Sequence, residues 1–421
     1  MKHKLNMMAA ALPLLLGANI AHADVDLFGG KVKAGGYLAQ HWQSAIEVSG
    51  ANRQNAADAR QNSGFQRLRV GLWFSAQISD RVGAFIEIAD EPNDYGAGEQ
   101  FSFAMNQDLA WIDLKLTDND ILRVGNVVET TMNFLRYSDG ASVQGNPNIG
   151  NGLADMITAT HGIWLTGAHD ASFGKWDYNL TLTIPSFADA FYDESGYNYG
   201  ARTSMTTNSG FGIGAGVFIF DGDVVGCATP TTCKLGNGAA QRSLMTVGDG
   251  DNYRVGQNGQ GTRAQVAGIL PGIDGHVWQI DLMWSGDAVG VPLTVQAFYG
   301  EGEDEYSHST GSMASNGGGD FSTVDAEQSF WGIFGKYAIN DKFYVSSRYQ
   351  VSTNDTAGVG GENEVDRLQL TGGFWISDST LLKAEYVKQN EDAQSGGGMC
   401  NPAGASSCDW DGFVMELSVS F

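Results

Sequence analysis

The chain has 421 residues and a formal net charge of -24, from 48 acidic and 24 basic side chains. That balance excludes a general nucleic-acid-binding surface, which needs a basic face. Gly is abundant at 57, Pro is scarce at 8 and aromatic residues make up 11%, with no Pro-rich linker to divide the chain, so one large domain is expected.

The first residues read as an export signal. Lys2 and Lys4 form a basic start, Met7 to Leu16 an apolar core too short to span a bilayer, and Ala21-His22-Ala23 a small-x-small cleavage site. The predicted division is a signal peptide over residues 1–23 and a mature domain over residues 24–421. No later stretch approaches the roughly 20 apolar residues that a spanning helix needs.

Apolar and polar residues then alternate, the period of an extended strand with one oily and one wet face. A first strand is expected over residues 32–42. In residues 65–77, Leu68, Val70, Leu72 and Phe74 point one way, and Arg67, Arg69 and Trp73 the other. The chain turns at Ser79-Asp80-Arg81 and runs back with Ala84, Ile86 and Ile88 on the oily side. Further hairpins turn at residues 117–120, Ser172, 208–210, 286–292, 340–342 and 377–379, positions rich in the Asn, Asp, Ser and Gly of tight turns. In the last strand Phe413, Met415, Leu417, Val419 and Phe421 form the apolar face, and the chain stops on an aromatic ring.

About sixteen strands result, with short and long connections in strict turn. The pattern predicts an all-β fold, a transmembrane antiparallel β-barrel with short periplasmic turns and long outer loops. Alternation also sorts side chains. Those out of phase with leucine face the lumen, because a charge facing lipid at mid-membrane costs about 2–4 kcal/mol. Arg67, Arg69, Glu87, Asp113, Lys115, Arg123, Arg202, Arg348, Arg367 and Lys383 are the predicted pore wall, with Lys336, Asp281, Glu385 and Glu416 also facing inward. The wall is therefore more basic than the net charge suggests. The acid excess is placed in outer loops, as at Glu301, Glu303, Asp304 and Glu305.

The loop over residues 129–157 is the candidate gate. Glu129, Arg136, Asp139 and Asp155 are candidates for the solute path, and Phe134 and Tyr137 for pins to the wall. The segment Gln144-Gly145-Asn146-Pro147-Asn148 lies in the same loop. Cys227 with Cys233, and Cys400 with Cys408, are expected to form two local disulfides in exposed loops of an exported chain. No catalytic, metal or cofactor motif emerges, so neither an enzyme nor a cofactor is predicted. A barrel enzyme would need a Ser-His pair at the lipid-facing rim; His161 and Ser172 lie on one hairpin, but nothing else marks them.

Three stretches resemble the porin O/P group, whose best-known members are phosphate-selective channels. They are Phe65-Gln66-Arg67-Leu68-Arg69-Val70-Gly71-Leu72, Ile121-Leu122-Arg123-Val124-Gly125, and the C-terminal hairpins from Gly372-Gly373-Phe374-Trp375 to Asp411-Gly412-Phe413. The terminal strand resembles the assembly signal of bacterial outer-membrane barrels. The resemblance implies an outer-membrane porin of a Gram-negative bacterium, a homotrimer whose third outer loop folds into the lumen. Implied partners are the barrel-assembly machinery, outer-membrane lipid and lipopolysaccharide, with no nucleic acid. The expected function is passive diffusion of small hydrophilic solutes and ions with weak charge selectivity. The alternatives are an anion- or phosphate-preferring porin, or a plugged surface-binding barrel. The third loop holds no Lys and Arg136 as its one base, which departs from the phosphate-selective pattern.

Overall fold

The computed structural model describes residues 25–50, 64–90, 106–128, 131, 144–150, 159–184, 197–221, 274–309, 321–356, 363–393 and 407–421. A three-residue strand, β1 (Val25–Leu27), precedes sixteen longer ones. These are β2 (Val32–Gly50), β3 (Gly64–Gln77), β4 (Val82–Asp90), β5 (Asn106–Lys115), β6 (Asp120–Val128), β7 (Ala159–Ala171), β8 (Gly174–Ile184) and β9 (Tyr197–Thr207). The second half comprises β10 (Phe211–Asp221), β11 (Asp274–Ser285), β12 (Leu293–Ser309), β13 (Phe321–Ala338), β14 (Phe343–Thr356), β15 (Asn363–Ser377), β16 (Thr380–Ala393) and β17 (Ser407–Ser420). Each of these sixteen pairs antiparallel with the next, and β17 pairs with β2 to close a sixteen-stranded barrel.

The short turns lie at one rim, the long connections at the other. Local side chains make the turns. Asn340 Oδ1 accepts from the backbone N–H of Lys342 and Phe343, at 2.9 and 3.0 Å. At the short-turn rim β1 and β17 lie end to end along β2. Val25–Leu27 pairs with residues 32–34, while Ser420 pairs with Tyr37 and Phe421 exchanges backbone hydrogen bonds with Gly36. Closure hides the open edge that the first and last strands would otherwise expose.

Burial separates the faces as the alternation predicts. Leu68, Ile86, Ile112, Leu180, Ile213, Leu282, Ile333, Leu370, Phe413, Met415, Leu417 and Phe421 are exposed on the outside, and Val419 is half-buried there. Arg69, Glu87, Arg123, Arg348, Arg367, Lys383, Glu385 and Glu416 are buried inside. The described strands run further towards the long-loop rim than alternation indicated. The Glu301-to-Glu305 acid run belongs to β12, paired with β11 and β13, rather than to a loop. Above the membrane both faces of a strand meet water, so the two-residue hydropathy period that marks the strand disappears there.

Candidate functional site

The interior is filled unevenly. The connection between β6 and β7 is the third long one in the barrel, and its described residues lie inside. Thr131 is fully buried against β9 and β10. A Cβ on Gly216 of β10 would fall 2.0 Å from the Thr131 carbonyl oxygen, so only glycine lets the loop backbone approach this closely. Residues 144–150 lie against a different arc of the wall, β14 to β17. The loop thus touches two separate sectors of the ring.

The second contact is a dense hydrogen-bonded strap. Gln144 Nε2 donates to the carbonyl oxygens of Ser379 and Ser418, and Ser420 Oγ donates to Gln144 Oε1. The Pro147 carbonyl accepts from Tyr344 OH and Ser346 Oγ, both at 3.1 Å. Arg348 Nη2 donates to the Gly150 carbonyl at 3.0 Å, and Gln369 Nε2 to the Ile149 carbonyl at 3.1 Å. Glu385 is the hub. Its carboxylate accepts from Thr371 Oγ1 at 2.5 Å, Gln369 Nε2 at 2.7 Å, the Ile149 N–H at 2.9 Å and Asn148 Nδ2 at 3.3 Å. Hydrogen bonds to an ionised carboxylate are roughly twice as strong as neutral ones. Beside the hub, Glu416 takes Lys383 Nζ at 2.8 Å and His41 Nε2 at 2.5 Å, all three side chains being fully buried. Arg348, Lys383, Glu385 and Glu416 face inward, beneath the loop.

On β5, β6, β9 and β11 several of the predicted charges are paired. Arg123 grips Asp113 in a bidentate contact of 2.7 and 2.9 Å, with its guanidinium 4.3 Å from the centre of the Trp111 ring. That ring continues a stack with Phe85 and Trp73 along the inner face, and Leu109, Val127, Val128 and Trp164 pack beside it under the root of the loop. Arg202 of β9 reaches across β10 to Asp281 of β11 at 2.6 Å, over Gly214, where any Cβ would fall 2.4 Å from the guanidinium. Lys115 is half-buried and paired with Asp118 at 2.8 Å. Arg367 is buried and donates to Gln389 Oε1 at 2.7 Å. Arg69 and Glu87 are buried and face inward on β3 and β4.

Several predicted residues fall outside the described set. Glu129, Arg136, Asp139 and Asp155, the pins Phe134 and Tyr137, and Cys227, Cys233 and Cys400 lie outside it. Arg67 and Cys408 lie on described strand backbone, Cys408 opposite Gly50 and Glu391, but their side chains lie outside it. His161 stands near one end of β7 and Ser172 in the turn beyond the other, roughly 35 Å of strand apart. The structure therefore does not bring that pair together. The amide-rich strap at residues 144–150 carries the loop contacts, and its sequence looks like that of any turn.

The chain matches no protein-family model and no curated relative. Its barrel does resemble solved structures. OmpF of Salmonella typhi, in complex with daunomycin, aligns with a TM-score of 0.54 at 11% identity, over 94% of this chain and 100% of that one. The anion-selective porin of Comamonas acidovorans gives 0.53 at 12% identity, over 93% and 99%. The outer membrane channel DcaP of Acinetobacter baumannii gives 0.53 at 10%, over 93% and 97%. At these identities the likeness is one of fold alone, the closed antiparallel β-barrel of this chain.

Proposed function

We propose that this chain is an outer-membrane porin, a passive diffusion channel for small hydrophilic solutes and ions. One observation carries the reading: the third long loop is strapped to the inner wall by residues 144–150 after touching β9 and β10 at Thr131. In this reading the loop, fixed at two sectors, narrows a water-filled lumen. Size exclusion then sets the cut-off, and wall charge grades anions against cations. Weak selectivity is supported by the pairs Arg123–Asp113, Arg202–Asp281 and Lys383–Glu416, which neutralise much of the basic wall. Glu129, Arg136, Asp139 and Asp155 are proposed to line the constriction. Export by a cleaved signal, insertion by the barrel-assembly machinery, a homotrimeric state, lipopolysaccharide contact and two loop disulfides belong to the same reading.

A second reading is an anion- or phosphate-preferring channel akin to the porin O/P group. The predicted excess of inward bases favours it, and the anion-selective porin of Comamonas acidovorans shares the fold. Planar-bilayer recording separates the readings. Stable open steps with a reversal potential near zero in a salt gradient are expected for the weakly selective channel. A strongly anionic reversal supports the second reading, and silence supports a plugged surface-binding barrel. Arg67→Glu with Arg69→Glu is expected to move the reversal potential towards cations; no movement would remove these arginines from the pore wall.

A further inference from the structure

We propose that the outer face of β6 to β10 binds one phospholipid with a primary-ammonium headgroup, in the leaflet nearer the short-turn rim. The inference rests on the outer-membrane placement proposed above. Three features lie in sequence along the same strands. The first is a carboxylate head. Asp120, at the rim end of β6, accepts from Thr117 Oγ1 at 2.5 Å, Tyr178 OH at 2.8 Å and His169 Nε2 at 3.0 Å. A carboxylate offers about four lone-pair directions, so Oδ2 retains acceptor capacity. The nearby cation Lys115 is engaged by Asp118 at 2.8 Å.

The second feature is an aromatic collar. His169, Trp176 and Tyr178 face outward, with ring centres 5.4 to 6.0 Å apart. Tyr178 reaches Asp120 by lying across Gly167 of the intervening strand. A Cβ there would fall 2.2 Å from the Tyr178 ring and 2.6 Å from Asp120 Oδ1. The third feature is an open apolar groove of about 660 Å³, lined chiefly by Leu165, Trp176, Leu180, Ala201, Ala215 and Val217. Ala201 and Ala215 form its floor because they are too short to fill the space between their neighbours.

Head, collar and groove match an amphiphile with an ammonium end. The carboxylate and the faces of Trp176 and Tyr178 attract a cation. An anionic headgroup meets repulsion at Asp120, and a quaternary ammonium has no N–H to donate to it. The face is apolar and turned outward along the membrane-crossing strands, so lipid is the occupant chosen; a second copy of this chain, whose short-turn rim also exposes Lys31, Arg81 and Lys342, is an outcome of the test.

The test uses full-length protein in nanodiscs of equal phosphatidylethanolamine and phosphatidylglycerol, followed by native mass spectrometry. One retained phosphatidylethanolamine per chain is expected, at least tenfold over phosphatidylglycerol. Asp120→Asn is expected to abolish the preference and Ala215→Phe the retention, with the barrel still resistant to heat. Equal retention of both lipids by the wild type would overturn the proposal, whether or not the variants fold. It also fails if Ala215→Phe breaks an oligomer and leaves lipid retention unchanged, since the groove is then an interface between copies. Retention is read without current, so a barrel that keeps the lipid and does not conduct refutes only the channel reading.

Discussion

Glu385→Ala probes the strap at its hub. The substitution removes two hydrogen bonds from the loop, those of Ile149 N–H at 2.9 Å and Asn148 Nδ2 at 3.3 Å. Bonds to a charged group contribute about 1.5–3 kcal/mol each. Taking the lower figure for each bond, the docked loop loses about 3 kcal/mol. At about 1.4 kcal/mol per tenfold, undocked excursions become roughly a hundredfold more frequent. The contacts of Gln144, Pro147 and Gly150 remain, so the loop stays docked most of the time. Single-channel recording should therefore show a sharp rise in open-channel flicker with little change in mean conductance. Tyr344→Phe removes one neutral bond to the Pro147 carbonyl, worth about 1 kcal/mol, and should raise flicker only about fivefold. Quiet records from Glu385→Ala, or a larger effect from Tyr344→Phe, would refute the reasoning.

Other expectations follow from the two faces of the wall. Leu282 is exposed outside and Met283 faces inward, so Leu282→Lys should cost about 2–4 kcal/mol of stability in lipid vesicles and Met283→Lys far less. Equal urea midpoints for the two would contradict the facing. Gly216→Val drives a side chain into the Thr131 carbonyl and should destabilise by about 1–3 kcal/mol while changing conductance, both measurable on the refolded barrel. Arg202→Glu places a second acid beside Asp281 and should shift the reversal potential towards cations; an unchanged potential would place this pair off the solute path. Deleting Phe421 removes the residue whose backbone locks onto Gly36 and should lower the yield of folded barrel, read as heat-modifiable mobility on gels.

The fold was legible because each membrane-crossing strand must turn every second residue to lipid. Leu68 to Phe74 on β3, and Phe413 to Val419 on β17 with Phe421 just beyond it, each show the pattern unaided. Strand ends were not legible where that requirement lapses. β2 continues to Gly50 and β12 to Ser309 because backbone pairing holds them where hydropathy carries no signal. β1 has three residues, too few for a period to show.

For the site, alternation gives direction but not distance. It turned Arg123, Arg202 and Lys383 inward, and it placed Asp113, Asp281 and Glu416 inward as well. Which acid meets which base depends on register and on what lies between. Arg202 reaches Asp281 two strands away because Gly214 leaves the path open. The strap was hidden for another reason. Gln144, Asn146, Pro147 and Asn148 are common turn residues, and their role appears only when their amides and carbonyls meet Thr371, Glu385, Tyr344 and Ser346 from distant strands.

Polymer-exclusion sizing in planar bilayers tests the central claim most directly, comparing the wild type with a variant in which residues 144–150 are replaced by a short Gly-Ser linker. The account predicts stable open steps for the wild type, and a larger conductance with a larger polymer cut-off for the variant. A wild type that never opens, or a variant with the same conductance and cut-off, would contradict it.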